Sequence, residues 1–200
     1  MMFGDLPIQY DDRILEPRGW TALQAEWAAD LLEEAPPGPV LELCSGAGHI
    51  GLLAVSRQRR RLVCVDDSSA AGEFARRNAE SNGLGDLVEV READLGDALE
   101  PGELFALVVA DPPWVPSDET DRHPDDPPAA IDGGSDGLDA ARACLHVARP
   151  HLLPGASILL QLGTRDQADD LARELTEMTV VEVREGQGGV VAHLRPTTTG

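Results

Sequence analysis

The sequence predicts an α/β fold built on one seven-stranded, mostly parallel sheet. Short apolar runs alternate with segments of helical periodicity, and several of these runs are too continuously apolar to leave one face in water. Parallel strands joined in this way require helices on both faces of the sheet. The last two apolar runs, 179–183 and 190–194, flank a glycine-rich turn, so we expect a C-terminal antiparallel hairpin at the sheet edge.

The elements follow in a regular order. The amino-terminal part predicts a short edge strand at Leu6–Tyr10, a turn at Asp11-Asp12, and a helix capped by Thr21 and stopped before Pro36–Pro39. Buried strands are predicted at 40–44, 61–66, 87–92, 104–109 and 157–161, with helices at 49–57, 69–82, 138–149 and 165–178. We expect residues 1–39 to form an extension packed on a core domain at 40–196, and residues 197–200 to form a frayed tail.

Composition limits the functions that this chain can have. Its 200 residues and 42% hydrophobic content suit one globular domain, and 36 acids against 16 bases give a formal charge of -20. This charge repels nucleic acids and anionic membranes. The sequence has no apolar stretch of membrane-spanning length and no signal-peptide pattern, so we expect a cytoplasmic protein. Three widely spaced cysteines predict reduced thiols, and the histidines show no metal-ligand spacing with them.

The sequence Asp111-Pro112-Pro113-Trp114 ends the apolar run 104–109. Proline cannot continue a sheet ladder, so the motif lies where a parallel strand stops, which is where open α/β sheets bind ligands. Asp111 and the Pro112 carbonyl offer acceptor oxygens, and Trp114 offers a flat face. The group predicts a site for a planar, NH-bearing acceptor; the alternative is a strand-ending turn in which Trp114 covers the sheet edge.

A second ligand signal follows the first buried strand. Gly46, Gly48 and Gly51 match the dinucleotide fingerprint, and an acid ends the next strand at Asp66, where it can accept ribose hydroxyls. A nicotinamide enzyme is therefore one candidate. Glu42, however, would face an anionic pyrophosphate unfavourably and a cationic ammonium group favourably, which indicates S-adenosylmethionine. The alternative for Glu42 is a strand acid held by a salt bridge.

Two further segments border this predicted cleft. Asp94 follows the third buried strand, where it can accept from an adenine amino group while Leu95 covers the ring. The loop 115–135 is rich in proline and acidic residues, and a loop of this length is typical of a lid. Its charge favours a cationic or neutral partner, although a merely solvated loop explains the charge equally well.

Together these motifs resemble those of class I S-adenosylmethionine-dependent methyltransferases, and most closely the HemK/PrmC protein-(glutamine-N5) methyltransferases. The resemblance covers roughly 3–175 and rests also on the segments 15–21, 75–79 and 132–138. It implies a Rossmann-like fold, S-adenosylmethionine as cofactor and a protein acceptor. It assigns catalysis to Asp111, Pro112 and Trp114, and cofactor binding to Glu42, Ser45, Gly46, Gly48, Asp66, Asp94, Leu95 and Thr21.

This sequence departs from the family at the acceptor motif, where the family has Asn-Pro-Pro-Tyr. We also expect it to differ from the bacterial members by the absence of their separate amino-terminal helical domain. Transfer of a methyl group to a planar nitrogen, such as a glutamine amide, is the reaction that we expect. A small-molecule or peptide N-methyltransferase and an adenine-N6 methyltransferase remain alternatives, the latter disfavoured by the absence of a basic track. A non-catalytic partner subunit is a further alternative, against which the intact glycine turn and Asp66 argue.

Overall fold

The computed structural model describes residues 1–197, and its strands form a two-stranded ribbon and a seven-stranded mixed sheet. The ribbon consists of β1 and β2. The sheet contains β3 to β9. In chain order the strands are β1 (Met2–Phe3), β2 (Leu6–Pro7), β3 (Val40–Leu43), β4 (Leu62–Asp66), β5 (Val88–Glu92), β6 (Phe105–Ala110), β7 (Leu152–Leu162), β8 (Met178–Gly186) and β9 (Gly189–Pro196).

The sheet order is β5-β4-β3-β6-β7-β9-β8, in which β3 to β7 run parallel and β9 is antiparallel to both β7 and β8. The predicted seven-stranded, mostly parallel sheet with a C-terminal antiparallel hairpin is thereby confirmed. The chain steps outward from β3 to β5 and then returns to place β6 on the other side of β3. This reversal creates a topological switch point between β3 and β6, a preferred place for ligands.

Within residues 1–197, six α-helices lie between the strands. They are α1 (Ala22–Glu34), α2 (His49–Ser56), α3 (Ser69–Ser81), α4 (Pro128–Ile131), α5 (Asp139–Ala148) and α6 (Arg165–Glu174). One buried cluster joins α1, α2 and α3 to one face of the sheet, and a second joins α5 and α6 to the other face. None of the helices described in residues 1–197 has the length and apolar character needed to cross a membrane.

Two predicted boundaries differ from the structure for a physical reason. Strand β7 begins five residues before the predicted 157, because Leu152 already pairs with Phe105 across a register shift. Helix α6 ends at Glu174 rather than at 178, since Leu175 has an extended backbone and Met178 is buried as the first residue of β8. In both cases sheet pairing overrides the local periodicity.

The amino-terminal segment does not join the main sheet. The predicted edge strand at Leu6–Tyr10 is shorter than expected: it covers only Leu6 and Pro7, which pair with Phe3 and Met2 rather than with the main sheet. Phe3, Ile8 and Ile14 are nevertheless buried in the cluster on the α1–α3 face. The division at residue 40 into extension and core stays a prediction.

At the other end of the chain, Thr197 is the last described residue. Its N–H donates to the Glu177 carbonyl at 2.9 Å. The rest of the predicted frayed tail, 198–200, lies outside the described residues.

Asn78 on α3 connects the amino-terminal segment to the turn after β3. This fully buried side chain accepts from the Gln9 N–H at 2.8 Å and donates to the carbonyls of Gln9 and Ala47, both at 3.0 Å. One amide group therefore satisfies three backbone groups from two distant segments. Removing it leaves these groups without their partner in a poorly hydrated place.

We expect Asn78→Ala to lower the free energy of unfolding by about 2–4 kcal/mol, because three hydrogen bonds to buried backbone are lost. Urea denaturation measures this change. Glu80→Ala, an exposed position two residues away on the same helix, is the matched control and should change stability by less than about 0.5 kcal/mol. Equal stability of the two variants would show that the hydrogen bonds of Asn78 to the Gln9 and Ala47 backbones do not stabilise the fold.

Candidate active site

The carboxyl ends of three neighbouring strands bring the polar residues of the site together. Leu43 of β3 is in register with Val65 of β4 and with Ala110 of β6. The residues that follow these three positions therefore leave the sheet at the same height. Ser45, Asp66 and Asp111 meet at this edge, as the sequence predicts, and Asp94 joins them from the end of β5.

The glycine turn between β3 and α2 is held by the end of the neighbouring strand. Gly46 and Gly48 adopt φ values of +50° and +73°, which side chains rarely permit. The Gly46 N–H donates to Asp66 Oδ2 at 2.8 Å. A Cβ at Gly48 would stand 3.2 Å from the Cβ of Ala75 on α3, so this glycine serves close packing, whereas Gly46 faces open space and lines the cavity.

A cavity of about 550 Å³ lies over this turn. Five predicted cofactor-binding residues line it, namely Ser45, Gly46, Asp66, Asp94 and Leu95. Further walls come from the segment 13–18 before α1, part of which carries the family resemblance, and from residues 127, 129, 130 and 132 in the loop predicted as a lid. Thus the cavity is roofed by the amino-terminal segment and by part of the predicted lid.

Asp66 combines burial with unused acceptor capacity. Its Oδ2 accepts from Gly46 and its Oδ1 accepts from the Ser68 N–H at 3.0 Å, which leaves a second lone pair on each oxygen. Burial raises the pKa of this carboxyl, and the two backbone hydrogen bonds oppose the rise. A pair of adjacent hydroxyl groups, as on a ribose, would satisfy the remaining lone pairs.

The residues present fit the cofactor that the resemblance implies. Ser45 Oγ is buried without a partner among the described residues, so it needs a polar group of a ligand. No atom lies within 4 Å of a Cβ built on Gly46, which leaves the backbone open to close approach. Leu95, Ile50 and Val65 add apolar wall for a flat ring. This set suits a nucleoside carrying a polar amino-acid tail.

Glu42 is not placed on the wall of either cavity described here. Its Oε1 accepts from the Gly51 N–H at 3.0 Å and its Oε2 from the Cys64 thiol at 3.4 Å. Burial raises its pKa to about 7. The predicted contact with a cofactor ammonium group stays a prediction. In the structure Glu42 connects β3 to α2 and to β4, and its partners are a backbone amide and a thiol rather than the cation of a salt bridge. Gly51 leaves room for it, because a Cβ there would meet Glu42 Oε2 at 2.4 Å.

A second cavity, of about 390 Å³, adjoins the first. It contains all three predicted catalytic residues, Asp111, Pro112 and Trp114, and also Thr21. We call the first the cofactor cavity and the second the acceptor cavity. Their common walls are Leu15, Arg18, Asp111, Pro113 and Ala130. Asp111 is thus the acidic side chain that faces both.

Asp111 and Pro112 present acceptors that the protein itself does not use. Within residues 1–197 neither the Asp111 carboxylate nor the Pro112 carbonyl accepts a hydrogen bond. The Asp111 N–H is tied to the Leu43 carbonyl at 3.4 Å, which orients the motif relative to β3. Burial raises the pKa of the Asp111 carboxyl to about 7. An NH-bearing ligand would supply the missing donors.

Trp114 is held on two sides. Its ring packs on Gly163 at the end of β7, where a Cβ would stand 2.3 Å from Trp114 Cε3. Its carbonyl accepts from Gln167 Nε2 at 2.9 Å, and Gly137 leaves space for this carbonyl, since a Cβ there would lie 2.3 Å from it. Trp114 therefore covers the sheet edge and lines the acceptor cavity, so both predicted roles are compatible.

The predicted lid is more ordered than a loop. It contains a 3-10 helix at Ser117–Arg122 and α4, and Val115 pairs with Asp132. Arg18 Nη2 binds Asp126 Oδ1 at 2.5 Å, which connects the amino-terminal segment to the lid. Thr21 precedes α1 as predicted, but its side chain makes no capping bond; its hydroxyl instead donates to the Arg18 carbonyl at 2.8 Å.

Comparison with known proteins shows which family this chain resembles. Residues 26–122 match the family model described as conserved hypothetical protein 95. A release factor glutamine methyltransferase of Xylella fastidiosa (strain Temecula1) is 36% identical over 168 residues, which cover 80% of this chain and 60% of that protein. The enzyme of the same name from Deinococcus radiodurans is 32% identical over 205 residues, covering 99% of this chain and 68% of that one.

A solved structure shares the fold. The ribosomal protein L11 methylase of Lactobacillus delbrueckii subsp. bulgaricus superposes with a TM-score of 0.71 at 13% identity, covering 96% of this chain and 86% of its own. The chain spans about 60% of the length of the Xylella relative. The match to the Deinococcus enzyme covers 68% of that protein. The sheet order and the motifs of this chain are consistent with the same family. The chain belongs to the HemK/PrmC family of class I S-adenosylmethionine-dependent methyltransferases.

Proposed function

We propose that this chain is an S-adenosylmethionine-dependent N-methyltransferase that methylates the side-chain amide of a protein glutamine. The observation that carries the proposal is the position of Asp111, whose unused carboxylate oxygens lie where the cofactor and acceptor cavities meet. The names of the relatives support a glutamine amide as acceptor. Release factors act in translation, so we also propose the cytoplasm as the location.

The cofactor cavity would hold S-adenosylmethionine through a few of its residues. Asp66 would accept from the ribose hydroxyls, Asp94 from the adenine amino group, and Ser45 would donate to the amino-acid tail. When bound, this cofactor supplies an electrophilic methyl group on a sulfonium. The common walls of the two cavities would then keep water away from the place of transfer.

The acceptor side must make an unreactive nitrogen more nucleophilic. The lone pair of an amide nitrogen is delocalised into its carbonyl, so the site has to orient the nitrogen and accept its protons. Asp111 and the Pro112 carbonyl would accept hydrogen bonds from the two N–H groups of the amide. These hydrogen bonds would increase the electron density on the nitrogen. Trp114 would stack on the amide plane. After transfer, an ionised Asp111 would take the proton that leaves the nitrogen.

The substrate class is tested by supplying methyl-labelled S-adenosylmethionine with purified release factors, ribosomal proteins, total RNA or a small-metabolite extract in separate reactions. We expect label in a protein fraction, on a glutamine side chain identified by mass spectrometry. Label on RNA alone would overturn the glutamine assignment and indicate an adenine-N6 acceptor. Label confined to small metabolites would move the acceptor to that class.

Asp111→Ala should lower kcat by at least about 100-fold, because the group that accepts the amide N–H bonds and the departing proton is gone. Affinity for S-adenosylhomocysteine, measured by calorimetry, should stay within about threefold, since Asp66 and Ser45 remain. Asp125→Ala, an exposed acid that lines the acceptor cavity alone, is the matched control and should keep kcat within about threefold. Equal loss of catalysis and cofactor affinity in Asp111→Ala would contradict the assigned role.

The pH dependence follows from the raised pKa of Asp111. Below about pH 7 the carboxyl is protonated and offers an O–H donor; above it the carboxylate accepts with both oxygens. We therefore expect kcat/KM to rise with pH through about 7. Asp111→Asn cannot ionise and should show a lower, flat profile across this range. Burial also raises the pKa of Glu42 to about 7. If kcat/KM of Asp111→Asn still rises with pH as in the wild type, the titrating group is therefore Glu42 rather than Asp111.

A further inference from the structure

Residues 13–18 form a strap over both cavities. All six line the cofactor cavity, and Leu15 and Arg18 line the acceptor cavity as well. The strap contains no helix or strand. The position of the strap therefore determines the shape of both cavities. This position is not maintained by the hydrogen bonds of a helix or a strand.

The backbone of the strap is hydrogen-bonded to Asp11 at its amino end, through Arg13 and Ile14, and has one anchor at its carboxyl end. Within the described part of the chain, the backbone of Leu15–Arg18 takes part in hydrogen bonds only at the Arg18 carbonyl. This oxygen accepts from the Thr21 N–H at 3.0 Å and from the Thr21 hydroxyl at 2.8 Å. Thr21 consequently holds the strap with both of its donors.

A neighbouring histidine fixes the orientation of the Thr21 hydroxyl. His49 Nε2 lies 3.3 Å from Thr21 Oγ1. Because a hydroxyl has one proton and Thr21 gives it to Arg18, its oxygen must accept here, and His49 must carry its proton on Nε2. Burial lowers the pKa of His49 to about 4, which keeps the ring neutral. Phe3 packs edge-on against the ring at 4.7 Å.

We propose that His49 is a positioning residue, which holds the strap over both cavities through the chain of hydrogen bonds from His49 Nε2–H to Thr21 Oγ1 and from the Thr21 hydroxyl to the Arg18 carbonyl. The acceptor part of this inference rests on the proposed function. His49 is the first residue of α2, directly after the glycine turn. The chain of bonds therefore links the turn that faces the cofactor to a wall of the acceptor cavity.

The side chain of Arg18 extends the same connection to the lid. Its guanidinium binds Asp126 and lies over the Trp20 ring at 5.5 Å from the centroid. Asp126 and Trp20 both line the acceptor cavity. A strap released at the Arg18 carbonyl would thus loosen the lid contact too, and both ligands would bind less tightly without any change to the reacting groups.

Three variants separate this role from simple packing. His49→Leu removes the donor, Thr21→Val removes the hydroxyl while keeping its shape, and His49→Gln supplies an amide N–H in place of Nε2–H. His49→Leu and Thr21→Val should each raise the Kd for S-adenosylhomocysteine and the acceptor KM about fivefold, the worth of one neutral hydrogen bond. With both substrates saturating, kcat should stay within about twofold. His49→Gln should remain near wild type, and the double variant should be no worse than either single one.

His146→Leu, on the exposed face of α5, is the matched control and should leave Kd and KM unchanged. A purely structural role would lower kcat by reducing the folded fraction and would leave Kd and KM alone, which would overturn the proposal. Failure of His49→Gln to restore binding, or multiplied effects in the double variant, would overturn it as well.

A measurement without ligand keeps this inference separate from the proposed function. Trypsin can cut the strap after Arg13 and Arg18, and we expect His49→Leu and Thr21→Val to speed this cleavage about fivefold, with cleavage after Arg57 and Arg59 as the internal reference. Unchanged strap cleavage would refute the anchoring. If the wild type transfers methyl to no glutamine, the proposed function fails, while the cleavage rates and the Kd series still decide the role of His49.

Discussion

The site depends on one geometric constraint, the parallel register of β3, β4 and β6. Leu43, Val65 and Ala110 lie side by side, so each strand releases its next residues at the same edge. Sequence segments far apart in the chain then meet without any long connection. The positions of the glycine turn, of Asp66 and of the motif at Asp111 are consequences of where these three strands end.

Burial makes this edge electrostatically unusual for so acidic a protein. Glu42, Asp66 and Asp111 are drawn together, and burial raises the pKa of each. They differ in what compensates them. Backbone amides donate to Glu42 and Asp66, whereas no group among residues 1–197 donates to the Asp111 carboxylate. Two of these acids are thus stabilised by hydrogen bonds within the described protein, and the third is not.

Sequence patterns predict the elements of the fold where apolar runs and turns alternate regularly. They do not predict contacts between segments that are far apart in the chain. The mostly parallel seven-stranded sheet, the hairpin and the grouping of Asp66, Asp94 and Asp111 all follow from buried runs and strand ends. The pattern could not show which face of β3 carries Glu42, because every residue of a central strand is buried. The strap has no periodicity, so the sequence drew on residues 15–18 only through the family resemblance. His49 was not singled out, because its contact with Thr21 and its place on the cofactor cavity arise only in the fold.

The position of Asp111 on the common wall of the two cavities also suggests how this protein could be inhibited. Two adjoining cavities that share five wall residues can be filled by one molecule carrying a nucleoside at one end and an amide at the other. Such a compound loses its translational and rotational freedom once rather than twice, so linking two weak fragments gains affinity without a new contact. Because the two cavities share walls at Asp111, the linker would pass beside this residue, and the residues around it would decide the selectivity.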